Sequence, residues 1–229
     1  MDGLKKVFIF QNLSPDEQRK LAKVVEKRRY GADAVIFFEG DKSDTLYMIE
    51  AGSAKISRSS KEGKQRIIDT LQAGDIFGEM AMFDGKPRSA TVTTLEPTEL
   101  LSISHRDFRA FAKECPDVLW RLLESVGKHV RRSGSDILDL SFRDVPYRLL
   151  HVLVQLVEKH GTSSPRGVRI NMRVSAADLA GMVGSNAERV SRLLHGYEEQ
   201  GLIQTDKASL TVPDVKALRY ALAQAQDWS

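Results

Sequence analysis

A single cysteine, Cys115, stands in a chain of 229 residues. No internal disulfide can form, and an iron–sulfur cluster, which normally takes four ligands, cannot be held by this chain alone. That usage fits a reduced cytoplasm. Histidine is sparse as well, five in all, and none falls in a His-x-His or His-Glu-x-x-His cluster, so no catalytic metal and no enzymatic activity are expected. Long apolar runs are missing: Val7-Phe8-Ile9-Phe10 is interrupted at once by Gln11 and Asn12, too short for a secretory signal or a membrane span. A charge imbalance is missing too. With 34 Lys and Arg against 31 Asp and Glu the formal net charge is +3, so any nucleic-acid partner must be argued from local pattern.

What is present suffices for a substantial core: 41% hydrophobic and 28% charged residues, a balance and length that suggest two domains. Ser14-Pro15-Asp16-Glu17 predicts a helix start, with Ser as cap, Pro in the first turn and Glu closing a capping box, and the helix is expected to run to about Lys27. From Tyr30 to about Ile103 the pattern changes to short strand-like pieces punctuated by glycine: Val35 to Phe38, Thr45 to Ile49, Ala54 to Ile56 and Arg66 to Ile68. Such spacing reads as a sandwich or barrel, and the expected fold class is α+β.

After Pro116 a long helix is predicted, because Leu119, Leu123, Val126, Val130, Ser133, Ile137 and Leu140 are separated alternately by four and three residues. That is a heptad seam, which predicts a parallel homodimer; the plainer possibility is packing on the chain's own barrel. Ser141 to Pro146 reads as a hinge, with Asp144 capping a helix of roughly Val145 to Lys159. A loop through Gly167, a strand near Val168 to Ile170, a helix, a turn, a second helix and a small hairpin follow. The expected domains are residues 1–115, a dimerisation helix over 116–140, and 141–229. From Lys128 to Arg192 there are eleven Lys or Arg against six Asp or Glu, compatible with a surface facing phosphates or with an ordinary solvated face.

Two segments carry chemistry. In Gly78-Glu79-Met80-Ala81-Met82-Phe83-Asp84-Gly85-Lys86-Pro87-Arg88-Ser89-Ala90-Thr91 one acid and one base flank a short turn. An anionic phosphate taken into a barrel needs a charge partner such as an arginine fork, while a carboxylate accepts from a ribose hydroxyl. Taken alone, such a pair would more often be a surface salt bridge. In the second segment, Val174 to Gly184 forms a short helix closing on glycine and Ser185 to Leu194 opens the next, the spacing of a helix-turn-helix. Val190, Leu193, Leu194 and Tyr197 share one apolar face, leaving Glu188, Arg192 and His195 opposite, with Arg189 and Ser191 flanking them. Arg192 suits guanine and Glu188 suits cytosine, although on an isolated helix the two would simply pair with each other.

The first segment resembles the phosphate binding cassette of cyclic-nucleotide-binding domains, and the likeness to the cyclic AMP receptor protein (CRP) and FNR family runs from about Phe10 through Ile203. Glu39-Gly40-Asp41, Leu46 to Gly52 and Gly74 to Phe77 share the family's glycine-turn spacing. The resemblance implies an N-terminal cyclic-nucleotide-binding β-barrel of jelly-roll type, a dimerisation helix and a C-terminal winged helix-turn-helix. Its implied effector is cyclic AMP, held by Gly78, Glu79, Met80, Ala81, Arg88, Ser89 and Ala90. Ser133 would contact adenine at the first of two hydroxyl positions, the second being Gly134. It also implies a palindromic double-stranded operator with a core like TGA, read by Glu188, Arg189, Ser191 and Arg192. Ala187 stands where CRP-like members have an arginine. Arg173, Ser175 and Lys207 would contact phosphates, and RNA polymerase is the implied protein partner. Other readings are the same regulator with another effector or none, and a nucleotide sensor acting through protein partners.

Overall fold

The computed structural model describes residues 4, 7–60, 65–206 and 209–226, without the side chains of residues 132, 135–137 and 226. After a 3-10 turn at Phe8–Phe10 the elements are, in chain order, α1 (Pro15–Ala22), β1 (Glu26–Tyr30), β2 (Val35–Phe37), β3 (Thr45–Ala51), β4 (Ser53–Ser59), β5 (Gln65–Gln72), β6 (Ile76–Phe77), α2 (Glu79–Asp84), β7 (Thr91–Thr94), β8 (Thr98–Ser104), α3 (His105–Glu114) and α4 (Asp117–Phe142). They continue with α5 (Val145–His160), β9 (Gly161–Ser164), β10 (Gly167–Ile170), α6 (Ala176–Val183), α7 (Ala187–Glu199), β11 (Gln204–Asp206), β12 (Ser209–Val212) and α8 (Val215–Gln226). Contacts divide the chain into two compact units, 1–58 with 68–131 and 59–67 with 132–229.

In the first unit the strands form two four-stranded antiparallel sheets, β1-β8-β3-β6 and β2-β7-β4-β5, a jelly-roll pair of sheets and not a closed barrel. The period of two along each strand builds two apolar layers at once. Tyr47 and Ile49 of β3 and Leu100 of β8 meet Phe37, Ala54, Leu71, Phe77 and Val92 between the sheets. Their neighbours Leu46, Met48, Leu101 and Ile103 point the other way, onto Phe108 and Phe111 of α3 and Val118 and Leu122 of α4. Strands β3 and β8 are therefore buried on both faces. Cys115 is a free, buried thiol, pushed up to about 11 by burial and by Glu17 beside it, and it packs within the core beneath α3 and α4.

The α1 capping box forms as its residues predict: Glu17 N–H donates to Ser14 Oγ and Ser14 N–H to Glu17 Oε2. The helix ends at Ala22, earlier than expected, because Glu26 to Tyr30 is recruited as an edge strand against β8. Its charged side chains stay outside the core, where Lys27 Nζ bridges Glu50 and Glu99 at 2.7 Å each. Residues this polar carry no apolar alternation, so nothing in their pattern marks a strand.

On α4, Val118 and Leu122 face the roll while Leu119, Leu123 and Val130 are exposed and Val126 is half-buried. The seam is thus uncovered over its N-terminal half; the Ile137 side chain lies outside the described residues. In the second unit β9, β10, β11 and β12 form one antiparallel sheet in the order β11-β12-β10-β9, with Leu149, Leu153, Val190, Ile203, Val212 and Leu218 fully buried. The strand and the hairpin that sequence treats separately join through Val168↔Val212. Helix α8, absent from the expectation, buries Leu218 and opens on Asp214, whose carboxylate accepts from Lys216 N–H.

Leu100 is fully buried between the sheets, and Leu100→Ala is expected to lower stability by about 2–5 kcal/mol, read as an earlier urea midpoint of the full chain by circular dichroism.

Candidate functional site

A cation is buried at the mouth of the jelly roll. Arg88 is 3% exposed, and its guanidinium lies 4.3 Å from the centre of the Phe37 ring and 5.7 Å from that of Tyr47. Arg88 Nη1 donates to the Gly78 carbonyl, and Nη2 donates to Ser43 Oγ and the Thr45 carbonyl, each at 2.7 Å. Its main chain is fixed as well, N–H to the Asp41 carbonyl and C=O from Gly40 N–H, both 2.9 Å. Arg88 Nε is buried without a hydrogen-bond partner. A buried donor left unmade costs about 1–3 kcal/mol, more when charged, so the site presents an unmet demand for an acceptor.

Gly78 is required twice over. Its φ is +82°, and a Cβ there would lie 2.5 Å from Arg88 Nη1. The glycine turns the chain from β6 into α2, which begins at Glu79. Glu79 is buried. Burial pushes its carboxyl above the usual carboxylate range, while its own backbone N–H, His129 and Arg88 pull the other way. Burial likewise pulls the Arg88 guanidinium down. Desolvation therefore acts against the charged form of both groups. An anion at Arg88 and a hydroxyl donor at Glu79 would offset those penalties.

The structure sets Ala81 and Ala90 inside, and Met80 and Ser89 outside, joined by Ser89 Oγ at 3.6 Å from Met80 Sδ. Ser133 is exposed on α4 and belongs to the second unit. Sequence reasoning misses Ser43, Thr45, Phe37 and Tyr47 as the seat of Arg88, since alternating aromatics read only as core. It also misses His129, whose Nε2 lies 3.9 Å from Asp69 Oδ2.

The second unit presents the other candidate surface. Ser175 caps α6, its hydroxyl accepting from Asp178 N–H at 3.1 Å and donating to Asp178 Oδ2 at 2.6 Å, so its hydroxyl already serves the cap. Helix α6 closes on Gly184 with φ +65°. Asn186 then caps α7 by accepting from Arg189 N–H at 2.8 Å, which sets Glu188 and Arg189 in its first turn. Val190 and Tyr197 are buried, Leu193 and Leu194 half-buried, and Glu188, Arg189, Ser191, Arg192 and His195 exposed on the outer side. Glu188 and Arg192 approach only to 3.9 Å, an exposed pair worth little. Arg173 is exposed, and Lys207 lies outside the described residues. No group of three metal-ligating side chains and no membrane-spanning helix occurs among the described residues.

Against known proteins, residues 27–115 match the cyclic nucleotide-binding domain and residues 147–221 the Crp-like helix-turn-helix domain. The chain is 28% identical over 215 residues to a CRP-like cAMP-activated global transcriptional regulator of Mycobacterium tuberculosis, covering 94% of this chain and 96% of that protein. It is 30% identical over 198 residues to the cAMP-activated global transcriptional regulator Vfr of Pseudomonas aeruginosa, covering 84% and 92%. Among solved structures, the c-di-GMP responsive global regulator CLP of Xanthomonas campestris superposes with a TM-score of 0.76 at 23% identity, over 88% of this chain and 100% of that one. With both of its units matched in this way, the chain belongs to the CRP/FNR family of transcription regulators, with a cyclic nucleotide-binding domain and a Crp-like helix-turn-helix.

Proposed function

We propose that this regulator binds cyclic AMP in its jelly roll and, as a homodimer joined along α4, reads a palindromic operator with α7. The observation that carries the effector reading is the orphaned Nε of the buried Arg88, with the buried carboxyl of Glu79 in the same segment. A cyclic nucleotide supplies both partners: its phosphate accepts from Arg88, and its ribose hydroxyl donates to Glu79. Ser89 and Ala90 follow Arg88 in the turn, where their amides would join the phosphate site. Ser133 would meet the base. Cyclic AMP is favoured because relatives across the chain's length are cAMP-activated, while a c-di-GMP responsive neighbour makes that dinucleotide the natural competitor. The exposed seam of Leu119, Leu123 and Val130 supports the dimer, since such a stripe is normally buried against a copy of itself.

For DNA, the capped start of α7 and the exposure of Glu188, Arg189, Ser191 and Arg192 support the reading that these four would meet base edges. Arg173 would position the protein on phosphates without reading sequence. The ligand switches the protein only through a difference in affinity between the DNA-competent state and the other.

Calorimetric titration with cyclic AMP, cyclic GMP and cyclic di-GMP tests the effector: saturable cyclic AMP binding is expected, abolished in Arg88→Leu. Binding retained in that variant would sink the phosphate assignment.

Glu79 yields a second expectation, with a definite sign. Its folded carboxyl pKa is raised above the unfolded value, so its contribution to stability is greatest at acid pH and is lost as pH rises from the ordinary carboxyl value through the raised one. Glu79→Gln is therefore expected to raise the Tm of the ligand-free protein at neutral pH while weakening nucleotide binding; a lower Tm there would reveal a structural role for the carboxylate.

On the DNA side, Arg192→Ala is expected to cost about 1–3 kcal/mol on a duplex selected from a randomised palindromic library. In gel-shift titrations at fixed salt it should leave affinity for unrelated duplex nearly unchanged. An equal loss on both duplexes would reassign Arg192 to the phosphates.

A further inference from the structure

The break between α4 and α5 falls at Arg143 and Asp144, yet it is not a free joint. Asp139, in the last turn of α4, and His151, in the second turn of α5, meet across it, with Asp139 Oδ2 2.6 Å from His151 Nδ1. Gln155 Nε2 lies 3.3 Å from His151 Nε2. One tautomer satisfies all three groups: Nδ1–H donates to the carboxylate, and Nε2 accepts from the Gln155 amide. Both partners are largely sheltered, the side chains of His151 and Asp139 being 26% and 19% exposed, so the bond is poorly replaced by water.

Arg148 strengthens the same corner. Its Nη1 donates to the carbonyls of Leu140 at 3.4 Å and Arg143 at 2.8 Å, satisfying acceptors that the end of α4 leaves open. Its Nε donates to the Val183 carbonyl at the end of α6, 2.9 Å away. Leu140 lies against the glycine that closes α6, where a Cβ on Gly184 would come within 3.3 Å of Leu140 Cδ2. Tyr197 of α7 donates from Oη to the Pro146 carbonyl at 3.1 Å. Asp139 and Asp144 favour the charge on Arg148, and Arg66 and Arg189 oppose it; Arg143 stacks over the Tyr147 ring at 4.9 Å. The end of α4 is thus tied to α5 and α6, and the start of α5 to α7.

We propose that this corner is a rigid coupler, in which the Asp139–His151–Gln155 chain and Arg148 make the last turns of α4 and the helix-turn-helix move as one piece. His151 is a positioning residue that carries the state of α4 to the recognition helix. The coupler rests on the reading above, that cyclic AMP controls operator binding.

The test uses the full-length protein, cyclic AMP and a duplex selected from a randomised palindromic library, and reads the ratio of operator Kd without and with nucleotide. Asp139→Ala and His151→Ala are each expected to lower that ratio about fivefold or more, within the usual range of allosteric coupling. The double variant should lose no more than either single one, because one interaction is removed. Asp139→Asn, whose Oδ1 can accept the same N–H, should keep the ratio and guards against a folding defect. A reduced Tm with the ratio intact in both alanine variants would overturn the proposal, as would equal loss in Asp139→Asn. A wild-type ratio of one, with nucleotide and duplex both bound, overturns the underlying reading and the coupler with it.

Discussion

A full positive charge held inside the jelly roll organises this molecule. Isolated burial of an ion is too costly to persist without compensation, and Arg88 is compensated only in part: two carbonyls and a hydroxyl take its terminal nitrogens, an aromatic face lies beneath it, and Nε is left over. Much else around it is arranged to make that tolerable. Gly78 must lack a Cβ to let the guanidinium in, Tyr47 and Phe77 stack at 5.3 Å behind Phe37, and the main chain of Arg88 is pinned to residues 40 and 41. The guanidinium is thus held by three hydrogen bonds and an aromatic face.

The same economy shapes α4. A helix uniformly apolar would be buried all round, and one uniformly polar would not hold a roll. This helix divides its faces: Val118 and Leu122 complete the core beneath β3 and β8, while Leu119, Leu123 and Val130 stay exposed. His129 of α4 lies 3.9 Å from the buried Asp69 and pulls the Glu79 carboxyl down against its burial. The far end of α4 carries Asp139 into the contact with His151.

Sequence made much of this legible because the relevant signals are local. Ser14 and Asp144 cap helices where their types and spacing predict, and the glycine before Glu79 takes the positive φ that its turn requires. The apolar face of α7 follows from periodicity alone, and its deepest members, Val190 and Tyr197, are buried as that face requires. What stayed hidden is set by pairing across long sequence separations. Strand β1 reads as a charged continuation of α1, and only β8 makes it a strand. Ser43 looks like a turn residue and Thr45 like a mere strand start until Arg88 folds back onto them. Helix α8 was marked by Asp214, but a cap without a recognised apolar stripe is a weak signal.

The outer face of α7 shows how stability and specificity are kept apart. Glu188 and Arg192 are well exposed and 3.9 Å apart, so their mutual attraction is worth at most about 1 kcal/mol in water. A single good bidentate base contact is worth about 1–3 kcal/mol of discrimination. The helix does not depend on the pair, because Asn186 caps its start and Val190 anchors its inner face, so on the proposed reading the pair could part for base contacts at little cost. Residues that hold the helix and residues proposed to read DNA are different residues, so the outer face can vary without loosening the fold that presents it.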